Sequence, residues 1–560
     1  MTRPTHTPLH ALSSPSRRTF LAQSSLAVAG TLLGARQLRA GMPVELPLDA
    51  SLPVGAYLPP SLEASDFRAL ATAAVDAAKS AGASYADIRI AERNWMIAED
   101  RRVVLETTCT YGVRALVDGK WGFSYGRAPT PEAVVQCAHE AVSSGRLSAQ
   151  LSARTRASGA ERNVPEWTPA PAATGEWRTP IEIDPFQVPV QEHSEFAHAL
   201  AMVASRLPGV DGGLEVQWIR ETRTFASTVG SLLTQYLCRC LPMSVQNMTA
   251  HFGGNRVNFC VDGIRWTSGG YEVLRKPGWM DRFQQASEDA VWLSRLPMRP
   301  TDVGRYPVVF DGTVTGALLG VIIGPSLELD RVLGFESEAS GTSRFTPELL
   351  GTAISSPLVT VTGNRAMPSV SAVKWDDDGN EPQEHTLIRD GVLTDYHTNG
   401  QTVGALKSWY DRQGKPLRSN GCAVAPEALH AVTVQPPELS MAPNRSTTSL
   451  QDLYKGMKRG IAVLNTGWIA PDQQLTSGSI SSWDGVYEVS NGKIVRRLVG
   501  MGLEFSTVPF IKNIVAVGDQ STVRHQDIST SKGMPWVDVR HGADAPAVLF
   551  KDINVISQQS

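Results

Sequence analysis

Eleven histidines and six cysteines are the natural metal ligands of this chain, and few of them fall in a metal-binding pattern. His139-Glu140 is its one His-Glu dipeptide. A zinc-binding helix needs a second imidazole about one turn further on, so that both rings reach one ion. Positions 143 and 144 are both serine, so His139 reads as a surface or boundary residue. His193 and His198 are separated by about 140° around a helix and share no face. Cys109, Cys137, Cys238, Cys240, Cys260 and Cys422 include no Cys-x-x-Cys pair and read as small buried hydrophobes, although Cys238 and Cys240 would share one face of a strand. Asp376-Asp377-Asp378-Gly379-Asn380 has calcium-like carboxylate spacing but no glutamate in register at the end of the loop, and reads as a hairpin turn. Serine chemistry is not indicated. Thr476-Ser477-Gly478-Ser479 reads as a turn among strands.

The element best suited to mount chemistry mounts none. Arg305–Asp330 reads as a strand (Tyr306–Phe310), a turn at Asp311-Gly312 and an apolar helix over Thr315–Ile323, which Pro325 should end because proline lacks an amide hydrogen. Thr313, Thr315 and Ser326 are the polar side chains between Thr313 and Ser326. The segment is apolar on every side, which predicts burial, and Leu318, Leu319, Val321, Ile322 and Ile323 should serve packing. Gly316, Gly320 and Gly324 recur every fourth residue and form a smooth stripe that lets another element approach.

At 560 residues, with 42% hydrophobic and 19% charged residues, the chain is long enough for two or more globular domains. Its formal charge is −3; residues 1–40 hold five arginines and no acid, leaving 47 basic against 55 acidic residues, which argues against nucleic-acid binding. Ser16-Arg17-Arg18-Thr19-Phe20-Leu21, followed by the apolar run Leu26–Leu33 and Leu38-Arg39-Ala40, forms a twin-arginine export signal and predicts a periplasmic or otherwise exported protein. That run is too short for a membrane span, and no later run is long enough.

After this signal (1–40), residues 41–62 read as an extended lead-in. Residues 63–300 read as an α+β region, with helices capped at Ser65 and Thr130, a third over Gln191–Arg206 and a fourth near Arg282–Leu296. Residues 301–560 read as mostly antiparallel β, with turns at Asp390-Gly391, Asp484-Gly485 and Asn491-Gly492 and a short helix capped by Ser449 and Asp452.

These segments resemble the TldD/PmbA family of metallopeptidase-like proteins. The resemblance rests on Gly82–Arg89, Gly112–Phe123, Tyr306–Asp330, Trp375–Gly379, Leu387–Leu393 and Val489–Ile494. It implies an α+β fold with a β-rich C-terminal domain. In the active branch the apolar helix carries His-Glu-x-x-x-His, whose histidines bind zinc and whose glutamate is the base, with a late cysteine as a further ligand. On this chain those positions are Gly320, Val321 and Pro325, and no cysteine follows Cys422. Glycine, valine and proline offer neither lone pair nor base. The resemblance thus implies no catalytic, cofactor or metal residue here. It points to a non-catalytic, TldE-like subunit that pairs with a zinc-bearing TldD-like homologue, or forms a homodimer, around a chamber for peptides. A peptidase with relocated ligands, with His385, His397, His525 and His541 as weak metal candidates, and a stand-alone periplasmic peptide-binding protein are the alternatives.

Overall fold

The computed structural model describes residues 42–557, apart from 49, 61, 158–163, 207–209, 253–254, 259–264, 277, 465–467, 483–484 and 534–535. The export segment with Arg17 and Arg18, as well as Cys260 and Asp484, lies outside the described residues. The fold is α+β. Its first half is a nine-stranded sheet built on β1 (Val44–Leu46), β2 (Tyr85–Glu99), β3 (Arg102–Val117), β4 (Lys120–Arg127), β5 (Thr174–Arg178), β6 (Val210–Ser227) and β7 (Leu232–Phe252), in the order β1-β3-β2-β6-β7-β5 with β4 on β3. The lead-in is part of this body. β1 pairs with β3, and Leu46 and Val54 are buried.

Helices α1 (Ala64–Ser80) and α2 (Pro131–Ala157) cover Ile88, Ile90 and Val113, while α3 (Val190–Arg206) and α4 (Trp279–Ser294) pack with Met96 and Trp218. These sheet residues share one parity along β2, so the odd-numbered Asp87, Arg89, Arg93 and Trp95 occupy the opposite face. That second face is polar, yet Asp87 and Arg89 are buried, because the second half of the chain closes over it. Glu63 rather than Ser65 caps α1, through a capping box with Asp66. Helix α2 extends past Ser144 through Gly145, where the backbone of Gly122 packs closely against it, to Ala157.

The second half holds a ten-stranded and a six-stranded sheet. In the larger, β8 (Gly304–Phe310) lies parallel to β12 (Arg459–Val463) and antiparallel to β15 (Val548–Ser557). The smaller contains β9 (Val361–Asn364), β10 (His385–Arg389), β11 (Glu438–Met441), β13 (Arg524–Lys532) and β14 (Val537–Ala545), with β11 parallel to β14. Pairing is thus mostly, but not wholly, antiparallel. Parallel neighbours require a crossover, and the whole segment 311–458 serves as the one between β8 and β12.

Pro325 does not end the apolar helix. Helix α5 (Gly312–Leu318) passes into a π-helical turn (Leu319–Ile323) and a last α-turn (Gly324–Ser326). The Gly324 amide donates to the Leu319 carbonyl, five residues back, and this widened turn accommodates the proline ring. The Asp376–Asn380 turn does not close a hairpin either. Asp376, Asp378 and Asn380 are buried where the two halves meet.

Candidate functional site

The apolar helix is seated by its glycines. Asp311 caps it by accepting from the Val314 amide at 2.9 Å. A Cβ on Gly312 would lie 2.4 Å from the Ala545 carbonyl, one on Gly316 3.0 Å from Cβ of Gln526, one on Gly320 2.3 Å from Cγ1 of Ile528, and one on Gly324 2.9 Å from Cδ1 of Leu439. The stripe therefore lies directly on β11, β13 and β14. Gly320 and Pro325 are buried and Val321 is partly so. Ile528 fills the space a side chain at position 320 would need.

Past the helix, the chain is fastened by charge. Lys532 donates to Glu328 Oε2 at 2.7 Å, to Asp330 Oδ1 at 2.8 Å and to the Val434 carbonyl. All three side chains are buried, and Arg331 also pairs with Glu328 at 3.2 Å. Burial raises the Glu328 pKa, and the Lys532 ammonium opposes that rise. This is a structural network: each buried charge has an opposite partner.

The four weak candidates separate into two places. His385 on β10 and His397 meet face to edge, with Nε2 of His385 3.0 Å from Nδ1 of His397. The His397 backbone is held by Leu327 and Leu329, so this pair sits at the end of the apolar helix. Cys422 brings its Sγ to 3.9 Å from the same Nδ1. Sequence reasoning missed Cys422, for which no local spacing signal exists. Burial lowers the pKa of both imidazoles and pushes the thiol up to about 12. His541 is fully buried against the backbone of Gly320, its pKa pushed by burial down to about 3.

His525 belongs elsewhere. On β13 it contacts Asp527 at 3.0 Å, Asp544 at 2.9 Å and Glu438 at 3.3 Å, while Arg265 holds Asp544 at 3.0 Å. Burial works against the His525 cation, but the hydrogen bonds to Asp527 and Asp544 raise its pKa to about 9. Burial raises Glu438 to about 7. His139 is exposed and His193 is buried with its Nε2 2.9 Å from the Pro185 carbonyl, so neither joins a site.

A cavity of about 460 Å³ opens between the two halves. Trp95, Trp375 and Trp536 line it together with Arg93, Arg365 and Arg540. Its wall is set by the Asp376–Asn380 turn: Asp377 pairs with Arg223 at 3.4 Å, and Asp378 accepts from Arg114 at 2.8 Å and from the Gly400 amide at 2.9 Å.

Residues 303–557 match the PmbA/TldA metallopeptidase C-terminal domain, and residues 102–145 match PmbA/TldA metallopeptidase domain 1. The chain belongs to the TldD/PmbA family. A metalloprotease of Methanothermobacter thermautotrophicus is 20% identical over 451 residues, covering 77% of this chain and 87% of that protein. Among solved structures, TldE from Thermococcus kodakarensis matches with a TM-score of 0.60 at 13% identity, over 86% of this chain and 99% of that one. A candidate modulator of a DNA gyrase from Thermotoga maritima matches with a TM-score of 0.62 at 17% identity, over 88% of this chain and 100% of that one. This TldD/PmbA protein has the family fold around a helix that carries neither imidazole nor carboxylate. Among the described residues, no helix is long and apolar enough to cross a membrane.

Proposed function

We propose that this TldD/PmbA-family protein is a non-catalytic, TldE-like subunit that is exported by the twin-arginine route and helps enclose a peptide-processing chamber with a zinc-bearing homologue. One observation carries the reading: Ile528 occupies the space beside Gly320 where a metal-binding side chain would have to stand. A zinc-bound water needs three protein ligands and an open position, and this helix supplies none of them. The cavity supports a peptide role. Tryptophan faces suit apolar side chains, and guanidinium groups suit carboxylates and backbone carbonyls.

The test is hydrolysis of unstructured peptides by the chain alone, by a homologue carrying His-Glu-x-x-x-His, and by the two co-expressed. The reading expects no turnover from this chain alone and co-elution with the homologue. Stoichiometric zinc together with peptide hydrolysis by this chain alone would overturn it. Failure to associate, with saturable peptide binding by the isolated chain, would favour a stand-alone binding protein, which the same cavity supports. For export, Arg17→Lys with Arg18→Lys should hold the precursor in the cytoplasm. Normal accumulation outside it would refute that step.

A further inference from the structure

His385, His397 and Cys422 lie outside the vacated helix positions, and their geometry is that of a ligand set. Nδ1 of His385 is 3.1 Å from the Gln383 carbonyl. Only a protonated nitrogen can make that hydrogen bond, so in the neutral ring Nε2 carries a lone pair. This is the arrangement in which metal-binding histidines are usually held. The lone pair points at Nδ1 of His397, 3.0 Å away, which Cys422 Sγ also approaches at 3.9 Å. Nε2 of His397 is buried without a hydrogen-bond partner, and the three residues bring potential ligand atoms within 4.8 Å of one another. Nitrogen and sulfur ligands of one tetrahedral ion stand about 3.4–3.6 Å apart, given metal bonds of about 2.1 and 2.3 Å. The observed separations bracket that range. Gly363 makes room for the ring: a Cβ there would lie 3.1 Å from Nε2 of His385.

We propose that His385, His397 and Cys422 bind a thiophilic d10 metal ion, copper(I) or zinc, in a closed site that ties β10 to the segment after it. Two neutral imidazoles and one thiolate suit both ions. The three residues are 6%, 0% and 0% exposed, so bulk solvent and a peptide substrate do not reach them. The site is therefore structural, and it stands apart from the peptidase question. Binding replaces the Cys422 thiol proton, which leaves to solvent, with one metal–sulfur bond. With copper(I) the charges of ion and thiolate cancel. With zinc one positive charge remains in a buried site, where Arg365 opposes it and the carboxylates of Asp395 and Asp376 favour it.

The full-length chain, produced without any homologue in cells supplied with copper or with zinc, tests this by metal content after dialysis against bicinchoninate for copper(I) or EDTA for zinc. The expected result is one equivalent of one of the two metals in the wild type and at least a tenfold loss in Cys422→Ser and in His385→Gln. Cobalt(II) loading should give a thiolate-to-metal charge-transfer band in the wild type that Cys422→Ser lacks. Wild-type protein free of metal in both arms and without that band would overturn the proposal, whether or not the variants fold. So would full retention of metal by a folded Cys422→Ser. Neither result bears on the subunit reading, which is tested by peptide hydrolysis.

Discussion

The Cα of Gly320 packs so closely on Ile528 that a Cβ would come within 2.3 Å of the isoleucine Cγ1. Gly320→Leu should therefore overpack this seam and cost about 1–3 kcal/mol. Urea denaturation measures it. Ile528→Ala should create a void in the wild type but relieve the crowding in Gly320→Leu, so the double mutant should be more stable than the sum of the single effects. An unchanged midpoint for Gly320→Leu would mean that the helix faces open space.

Restoring the ligand chemistry without the space should fail. Gly320→His, Val321→Glu and Pro325→His together supply two imidazoles and a carboxylate, but Ile528 stands against the first and the late cysteine is missing. The expected outcome is a less stable protein with no peptide hydrolysis and zinc affinity at least tenfold below that of a complete site, since ligands without their supporting partners bind poorly. Robust hydrolysis by the triple mutant would show that a catalytic cavity persists.

Asp378 and Arg114 join the two halves beside the cavity-lining Asp376 and Asp377, and both are buried. Asp378→Ala leaves Arg114 its contacts with Asp87 but strands the Gly400 amide. Because the Arg114 charge stays paired, the stranded buried amide sets the cost, about 1–3 kcal/mol. Asp378→Asn retains an acceptor for the amide and should cost less. Chemical denaturation of both variants, with limited proteolysis at the 376–380 turn, checks the order.

Stability should fall from acid toward alkaline pH through Glu438 and His525. Glu438 rises on folding from 4.5 to about 7, so its contribution is full below 4.5 and is lost as pH climbs toward 7. His525 rises from 6.5 to about 9, so its contribution is full below 6.5 and is lost through 9. His525→Gln should be less stable than wild type at pH 6 and should lose the decline between pH 6.5 and 9. A wild-type midpoint that rises over that interval would contradict the assignment.

What the sequence determined by itself is mainly local or subtractive. The absence of histidine and glutamate from the apolar helix excludes its metal chemistry whatever the fold, because side chains without lone pairs cannot be rescued by position. The burial of that helix follows from its all-round apolar character, and the turns at Asp390-Gly391 and Asn491-Gly492 follow from residues that tolerate the positive φ found at all four positions. Ser449 and Asp452 form the expected capping box because that pairing spans a single helical turn.

The tertiary structure decided whatever depends on distant partners. Asp376–Asn380 reads locally as an ordinary turn, but Arg114 and Arg223, which bury and pair it, stand on strands of the other half. Pro325 reads as a stop, but the π-turn before it lets the helix continue. His385, His397 and Cys422 show no motif spacing, yet the fold of the second half brings strand β10 and two later segments together. Periodicity and propensity report which face a residue takes within its own element. Which faces then meet is set by long-range packing, and here that packing seated Ile528 against Gly320 and brought His385 and Cys422 to His397.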